Sequence, residues 1–161
     1  MRSQDSSTAL TPLRLRKLLS DRQTNSHKLK MHLESDKATV IGILPDSVVT
    51  KKKVMKINRG EDGDFKFDKN IDVAKVAVVE RHQMTGNVAT ALIEGYGIKT
   101  GAVAVTVAHD SHNIIVVGTN NEDMAFAVSK LIELEGGIVV VDGGEVLESM
   151  PLPIADRKSV V

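Results

Sequence analysis

From residue 38 onward the chain is a succession of short β-branched runs cut by turn residues, and only one segment carries a clear helical period. Residues 39–44 form an apolar run closed by Pro45-Asp46, and 48–57 follows with Lys51-Lys52-Lys53 inside it. Lysines in that position suit a solvated sheet edge, where they discourage pairing with other chains. Residues 59–70 are rich in Gly, Asp and Lys and read as a loop with at most a short hairpin at Asp62-Gly63. Further strands are predicted at 73–79, 102–107 and 114–117. Residues 88–93 are ambiguous, because nearby Ala, Leu and Glu favour a helix while Gly86 and Gly95 leave room only for a short element.

The exception is 121–134. Asn120 or Asn121 can cap it, and Glu122 and Asp123 sit in a first turn where the helix dipole favours carboxylates. Met124, Ala127, Val128, Leu131 and Ile132 recur on one face, and Gly136-Gly137 supplies a C-terminal stop. Residues 138–141 and 145–148 then flank Asp142-Gly143-Gly144, where Asp-Gly offers the positive φ angles of a hairpin turn. The expected fold is α/β (α+β) and two-layered: a mixed or mainly antiparallel sheet covered by a few helices.

At 161 residues the chain has the size of one domain able to bury a core without disulfides. Its 21 basic and 21 acidic residues cancel, and aromatics make up 2%. Neither a basic surface nor a stacking platform is present, so no nucleic-acid partner is expected. With no cysteine there is no thiolate metal site, and an intracellular setting fits. No apolar stretch reaches the roughly 18–20 residues of a membrane span, and the N-terminus lacks the apolar core of a secretory signal. The cytoplasm is the expected compartment. Residues 1–33 differ from the rest, with seven basic side chains against Asp5 and Asp21. Leu10, Leu13, Leu15, Leu18 and Leu19 could form a short amphipathic helix there that binds a membrane or partner. The polar residues around it favour a poorly ordered basic tail over that reading.

The chemistry concentrates in one loop, His109-Asp110-Ser111-His112-Asn113, set between two predicted strands. These ligand types suit zinc, manganese or iron, with His109 and His112 as the metal candidates. Three readings stay open: loop histidines satisfied by backbone and Asp110, a substrate-contacting loop, or a metal site completed by another element. Glu80-Arg81-His82 ends the 73–79 strand, where α/β folds often place functional groups. On charge alone an ordinary surface ion pair is favoured there. Gly95-Tyr96-Gly97 with Gly101 has the wrong spacing for a dinucleotide loop and precedes a strand rather than a helix. No phosphate-cradling P-loop and no Gly-x-Ser-x-Gly elbow occur. Met124 and Met150 read as core or edge packing.

Taken in order, several stretches resemble the C-terminal domain of bacterial adenine deaminases of the amidohydrolase superfamily. They are Ala38-Thr39-Val40-Ile41-Gly42-Ile43-Leu44-Pro45, Val78-Val79-Glu80-Arg81-His82, Thr85-Gly86-Asn87, Gly95-Tyr96-Gly97, the run from Val107 to Asp123, Gly136-Gly137-Ile138-Val139-Val140-Val141, and Pro151-Leu152-Pro153-Ile154-Ala155. The resemblance spans residues 34–155 as one domain. It implies hydrolytic conversion of adenine to hypoxanthine and ammonia, with a divalent manganese or iron ion lowering the pKa of the attacking water. It further implies a TIM-barrel partner carrying the metal through a His-x-His pair. No His-x-His occurs among His27, His32, His82, His109 and His112, and a barrel needs roughly 250 residues, more than the whole chain. The resemblance therefore implies a fragment inactive alone. His109, Asp110, Ser111, His112 and Asn113 would line the purine site or a barrel-edge metal site, with Glu80, Arg81 and His82 beside them. A non-enzymatic interaction or homo-oligomerisation module is the alternative.

Residues 156–161 depart from the family pattern. They back-translate to a common short-read sequencing adapter followed by an in-frame stop. A reading frame truncated at an assembly artefact is the expectation, to be tested by resequencing the locus.

Overall fold

A computed structural model describes residues 26–81, 85–108, 111 and 113–152. Among the described residues ten strands form in chain order: β1 (Lys37–Ile43), β2 (Thr50–Lys56), β3 (Asn58–Arg59), β4 (Phe65–Lys66), β5 (Val73–Val79), β6 (Val88–Glu94), β7 (Ala102–Val105), β8 (Ile114–Gly118), β9 (Gly137–Asp142) and β10 (Glu145–Pro151). One α-helix, α1 (Asn121–Glu133), joins β8 to β9, and a 3₁₀ turn at Ser26–Leu29 precedes β1. Eight strands make one sheet in the order β10-β9-β7-β8-β5-β6-β1-β2, while β3 and β4 pair separately. Every neighbouring pair in the large sheet is antiparallel except β1 with β6. The architecture is α+β, a mixed sheet with one helix, as the alternating runs predict.

Residues 88–93, which composition pulled toward a helix, form β6. Tertiary context decides it: β6 is hydrogen-bonded to β5 along its full length, from Val73↔Glu94 to Val79↔Val88. Leu92 is fully buried in that setting. The lysine run lies on β2, an edge strand, and is exposed throughout.

α1 and the 3₁₀ turn cover one face of the sheet. Met124, Ala127, Val128 and Leu131 pack there on Ala77, Ala104, Val116 and Val139. A second cluster on the same face gathers Leu33, Val40, Ile57, Val73 and Leu92. Residues 26–33, basic in composition, thus contribute Leu29 and Leu33 to the core. The rest of the expected basic tail (1–25) and the expected non-family tail (156–161) lie outside the described residues. No helix among the described residues is long and apolar enough to cross a membrane.

Asn120, not Asn121, caps α1, its Oδ1 accepting the Asp123 N–H at 2.7 Å. The helix stop also differs from expectation. Glu135 takes the left-handed position at φ 62°, while the Gly136 and Glu135 N–H groups donate to the Leu131 and Ile132 carbonyls. This is a Schellman cap with a side chain where glycine is the easier residue. Glu135→Gly is therefore expected to stabilise the domain by about 1 kcal/mol, read as a rise of a few degrees in melting temperature. The hairpin turn is likewise shifted by one residue: Gly143 and Gly144, at φ 57° and 78°, are its two central residues.

Candidate functional site

The β5–β8 register decides where the sequence candidates meet. Val79 pairs with Ile114, so Glu80-Arg81, which follows β5, lies beside Asn113, which precedes β8. Both polar segments therefore open at the same end of the sheet. His82, His109, Asp110 and His112 lie outside the described residues; Glu80, Arg81, Ser111 and Asn113 lie within them.

The 106–113 loop is rooted by Thr106, which is buried. Its Oγ1 accepts the Gly137 N–H at 2.9 Å, and its own N–H donates to the Gly137 carbonyl at 3.0 Å. The Ala108 N–H turns back to the Thr106 carbonyl, leaving Val107 exposed. At the far end Ser111 Oγ accepts the Asn113 N–H at 3.4 Å. Asn113 Oδ1 is buried with no hydrogen-bond partner among the described residues. A buried acceptor left so costs about 1–3 kcal/mol, so its position selects for an N–H or O–H donor.

Glu80 is hydrogen-bonded into the turn that follows it. Its Oε2 accepts from both the Thr85 N–H (3.0 Å) and Thr85 Oγ1 (2.9 Å), and its backbone N–H donates to the Asn87 carbonyl. It thus braces the turn that contains Gly86, whose carbonyl accepts from Lys28 Nζ. Among the described residues no three His, Asp or Glu side chains converge as a metal site. The described residues therefore do not fit the divalent ion that the resemblance implies, and no chemical step through one is derived for them.

A cavity of about 260 Å³ opens at the other end of β5, walled by Asp62, Asp64, Phe65, Lys66, Asn121 and Glu122. Its floor is a closed polar network. Lys75 Nζ donates to Asp64 Oδ1 (2.7 Å), Asn121 Oδ1 (2.7 Å) and the Leu29 carbonyl (2.9 Å), which uses all three ammonium hydrogens. Asp64 also accepts from Met31 N–H, Phe65 N–H and Asn121 Nδ2. Lys75 is 3% exposed and Asp64 8%. These groups are satisfied by one another, so the network joins four segments and is a structural weld. The β-branched run at 73–79 predicts the strand but not this network. The available signal was a lysine in the inward alternation Val73, Lys75, Ala77, Val79.

Asp123 has a comparable double role. Its carboxylate accepts from Asn120 Nδ2 at 2.8 Å and from the Gly143 and Gly144 N–H groups at 3.2 and 2.9 Å, tying the start of α1 to the β9–β10 turn. Burial pushes the Asp64 and Asp123 carboxyls up, but the donors around each outweigh it and hold both below the usual value of 3.8. Burial moves the Lys75 ammonium the other way, below its usual value, with Asp64 opposing the shift. A carboxylate with a depressed folded pKa contributes stability that is fully present above its unfolded value and lost as pH falls through the folded one. Stability should therefore decline on acidification below about pH 4–5. Asp123→Asn should flatten that decline in a pH series of denaturant melts.

Residues 47–156 match the family model for the adenine deaminase C-terminal domain. The chain is 62% identical over 132 residues to adenine deaminase 2 of Desulfotalea psychrophila, covering 82% of this chain and 23% of that protein. It is 49% identical over 128 residues to the adenine deaminase of Ligilactobacillus salivarius, covering 80% and 22%. Adenine deaminase 2 of Carboxydothermus hydrogenoformans is 49% identical over 138 residues, covering 86% and 24%. The chain thus spans less than a quarter of the length of these relatives. The motifs at both loops of the sheet end fall within the family match, and the chain belongs to the adenine deaminase C-terminal domain family.

Proposed function

We propose that this domain serves an enzyme that hydrolyses adenine to hypoxanthine and ammonia in cytoplasmic purine salvage, and that its part is to close one side of the purine site. The supporting observation is the convergence of the 80–87 and 106–113 loops at one sheet end, with the buried Asn113 acceptor lacking a donor among the described residues. A purine offers N–H donors of the kind that acceptor requires. In this reading His109, Asp110, Ser111, His112 and Asn113 line the pocket, with Glu80, Arg81 and His82 alongside. The divalent manganese or iron ion, bound mainly by a barrel domain outside this chain, supplies the activated water. His109 and His112 are candidates to touch that centre from its rim.

In a full-length relative, His109→Ala at the equivalent position should lower kcat/KM for adenine by at least about tenfold, in line with a lost positioning contact. Unchanged kcat/KM together with unchanged metal content would relegate the loop to structure. The 161-residue chain alone, supplied with manganese, should release no ammonia from adenine. The second reading, an interaction or homo-oligomerisation module, draws support from the sheet face that α1 leaves uncovered.

A further inference from the structure

Successive strand residues point to opposite faces of a sheet. On β5, Val73, Lys75, Ala77 and Val79 face α1 and the inner clusters, so Ala74, Val76 and Val78 face the other way. The register extends that outer face across the sheet. Val76 and Val78 pair with Val117 and Ile115 on β8, and these with Val103 and Val105 on β7. Val140 and Ile138 follow on β9, while Ile93 and Ile41 continue it toward β1. Charged side chains enter only at its margins, with Lys52 opposite Ile41 on β2 and Glu148 opposite Val140 on β10. α1, the 3₁₀ turn and the β3–β4 ribbon all pack on the inner face, and no described helix or strand packs on the outer one, although Ala74 and Val117 are buried there among their neighbours. Val78 and Ile41 remain 37% and 36% exposed.

A sheet with one solvated face alternates apolar and polar residues, whereas strands buried on both faces read as continuous apolar runs. β7, β8 and β9 are of the second kind, and so is β5 apart from Lys75 on its inner face. An apolar centre with charges confined to a rim is also the anatomy of a permanent interface. From β1 to β9 the face crosses five inter-strand gaps, so at ~4.8 Å per gap and about five residues per strand it measures roughly 400 Å² in projection. Two copies packed face to face would bury roughly 800 Å² in total, below the ~1,200–2,000 Å² of a stable dimer. A covalently tethered domain needs less, because tethering raises effective concentration and interfaces within one chain start near ~600 Å².

We infer that this outer face is the docking surface for the remainder of the full-length deaminase, the tethered polypeptide that makes up more than three quarters of the relatives. The inference rests on reading the chain as the C-terminal part of such an enzyme. The partner surface it fits is apolar and uncharged at its centre.

The chain has no cysteine, so Val78→Cys and Ile41→Cys each place one thiol on the face. Maleimide labelling should be fast in the isolated variants, with circular dichroism verifying their fold. At the equivalent positions of the full-length Desulfotalea protein it should be at least tenfold slower. Equal rates in both contexts would overturn the inference. Protection in the isolated chain would do so too: a concentration-dependent effect would identify a second copy, a concentration-independent one a segment of the same chain. Slow labelling in the full-length protein alongside unchanged turnover of the His109→Ala variant would leave docking standing and remove the substrate-site reading. The reverse pattern would do the opposite.

Discussion

Asp64→Asn is expected to cost about 3–5 kcal/mol, because it leaves the Lys75 ammonium buried opposite a neutral amide. For a domain of this size that corresponds to a fall of roughly 10–15 °C in melting temperature. The substitution is isosteric and keeps an acceptor for the Met31 and Phe65 N–H groups, but its amide nitrogen then faces Asn121 Nδ2, so the loss combines the uncompensated charge with one lost hydrogen bond. Lys75→Met should also destabilise, leaving Asp64 charged and the Leu29 carbonyl unpaired. Together the two substitutions should cost less than Asp64→Asn alone. The amide introduced at position 64 can then donate to Asn121 Oδ1, which the lysine has vacated. A double-mutant cycle on denaturant melts reads this directly. If the two single effects simply add, the network is not a coupled unit.

Gly101→Ala should be comparably damaging for a steric reason. Gly101 sits at φ 71°, and an added Cβ would lie 2.0 Å from the Val141 carbonyl oxygen. Ala102 pairs with Val141 at that point, and the Gly101 carbonyl accepts the Thr119 N–H. The clash cannot be relieved by a side-chain rotation, since the obstacle is β9 backbone. The strain of the left-handed conformation, about 1–2 kcal/mol, adds to the cost of displacing β9 from β7, for a total of about 3 kcal/mol or more. Gly97→Ala is the control: φ is 77°, yet nothing lies within 4 Å of its Cβ position. It should show the backbone strain alone. Equal melting temperatures for the two variants would contradict the close approach.

The strands were legible because alternation and turn residues act locally, and β5 and the span of α1 follow directly from the pattern. What escaped reading depends on partners distant in sequence. Asn121 was interchangeable with Asn120 as a cap until Lys75, 46 residues away, claimed its side chain. Glu135 entered the left-handed position because the Schellman bonds and the close approach of β9 to β10 fix the register; a Cβ on Gly137 would meet the Met150 carbonyl at 2.0 Å. Residues 88–93 became a strand through pairing with β5, which overrides the propensity of Ala, Leu and Glu. For the candidate site, composition revealed the polar loop but not its neighbour. That Glu80 stands beside Asn113 is a consequence of strand register alone.

The parallel contact between β1 and β6 sets an order of events during synthesis. Ile41 meets Ile93, which leaves the ribosome about fifty residues later. The β1–β2 ribbon is complete at Lys56, 37 residues before Ile93, so at ~5–20 residues per second it waits ~2–7 s for its docking strand. A two-stranded ribbon is marginal alone, and its free edges invite pairing with other nascent chains. Lys51, Lys52 and Lys53 occupy one of those edges throughout the wait. The basic run on β2 thus has its greatest value before the sheet is complete, when the ribbon has most edge to protect.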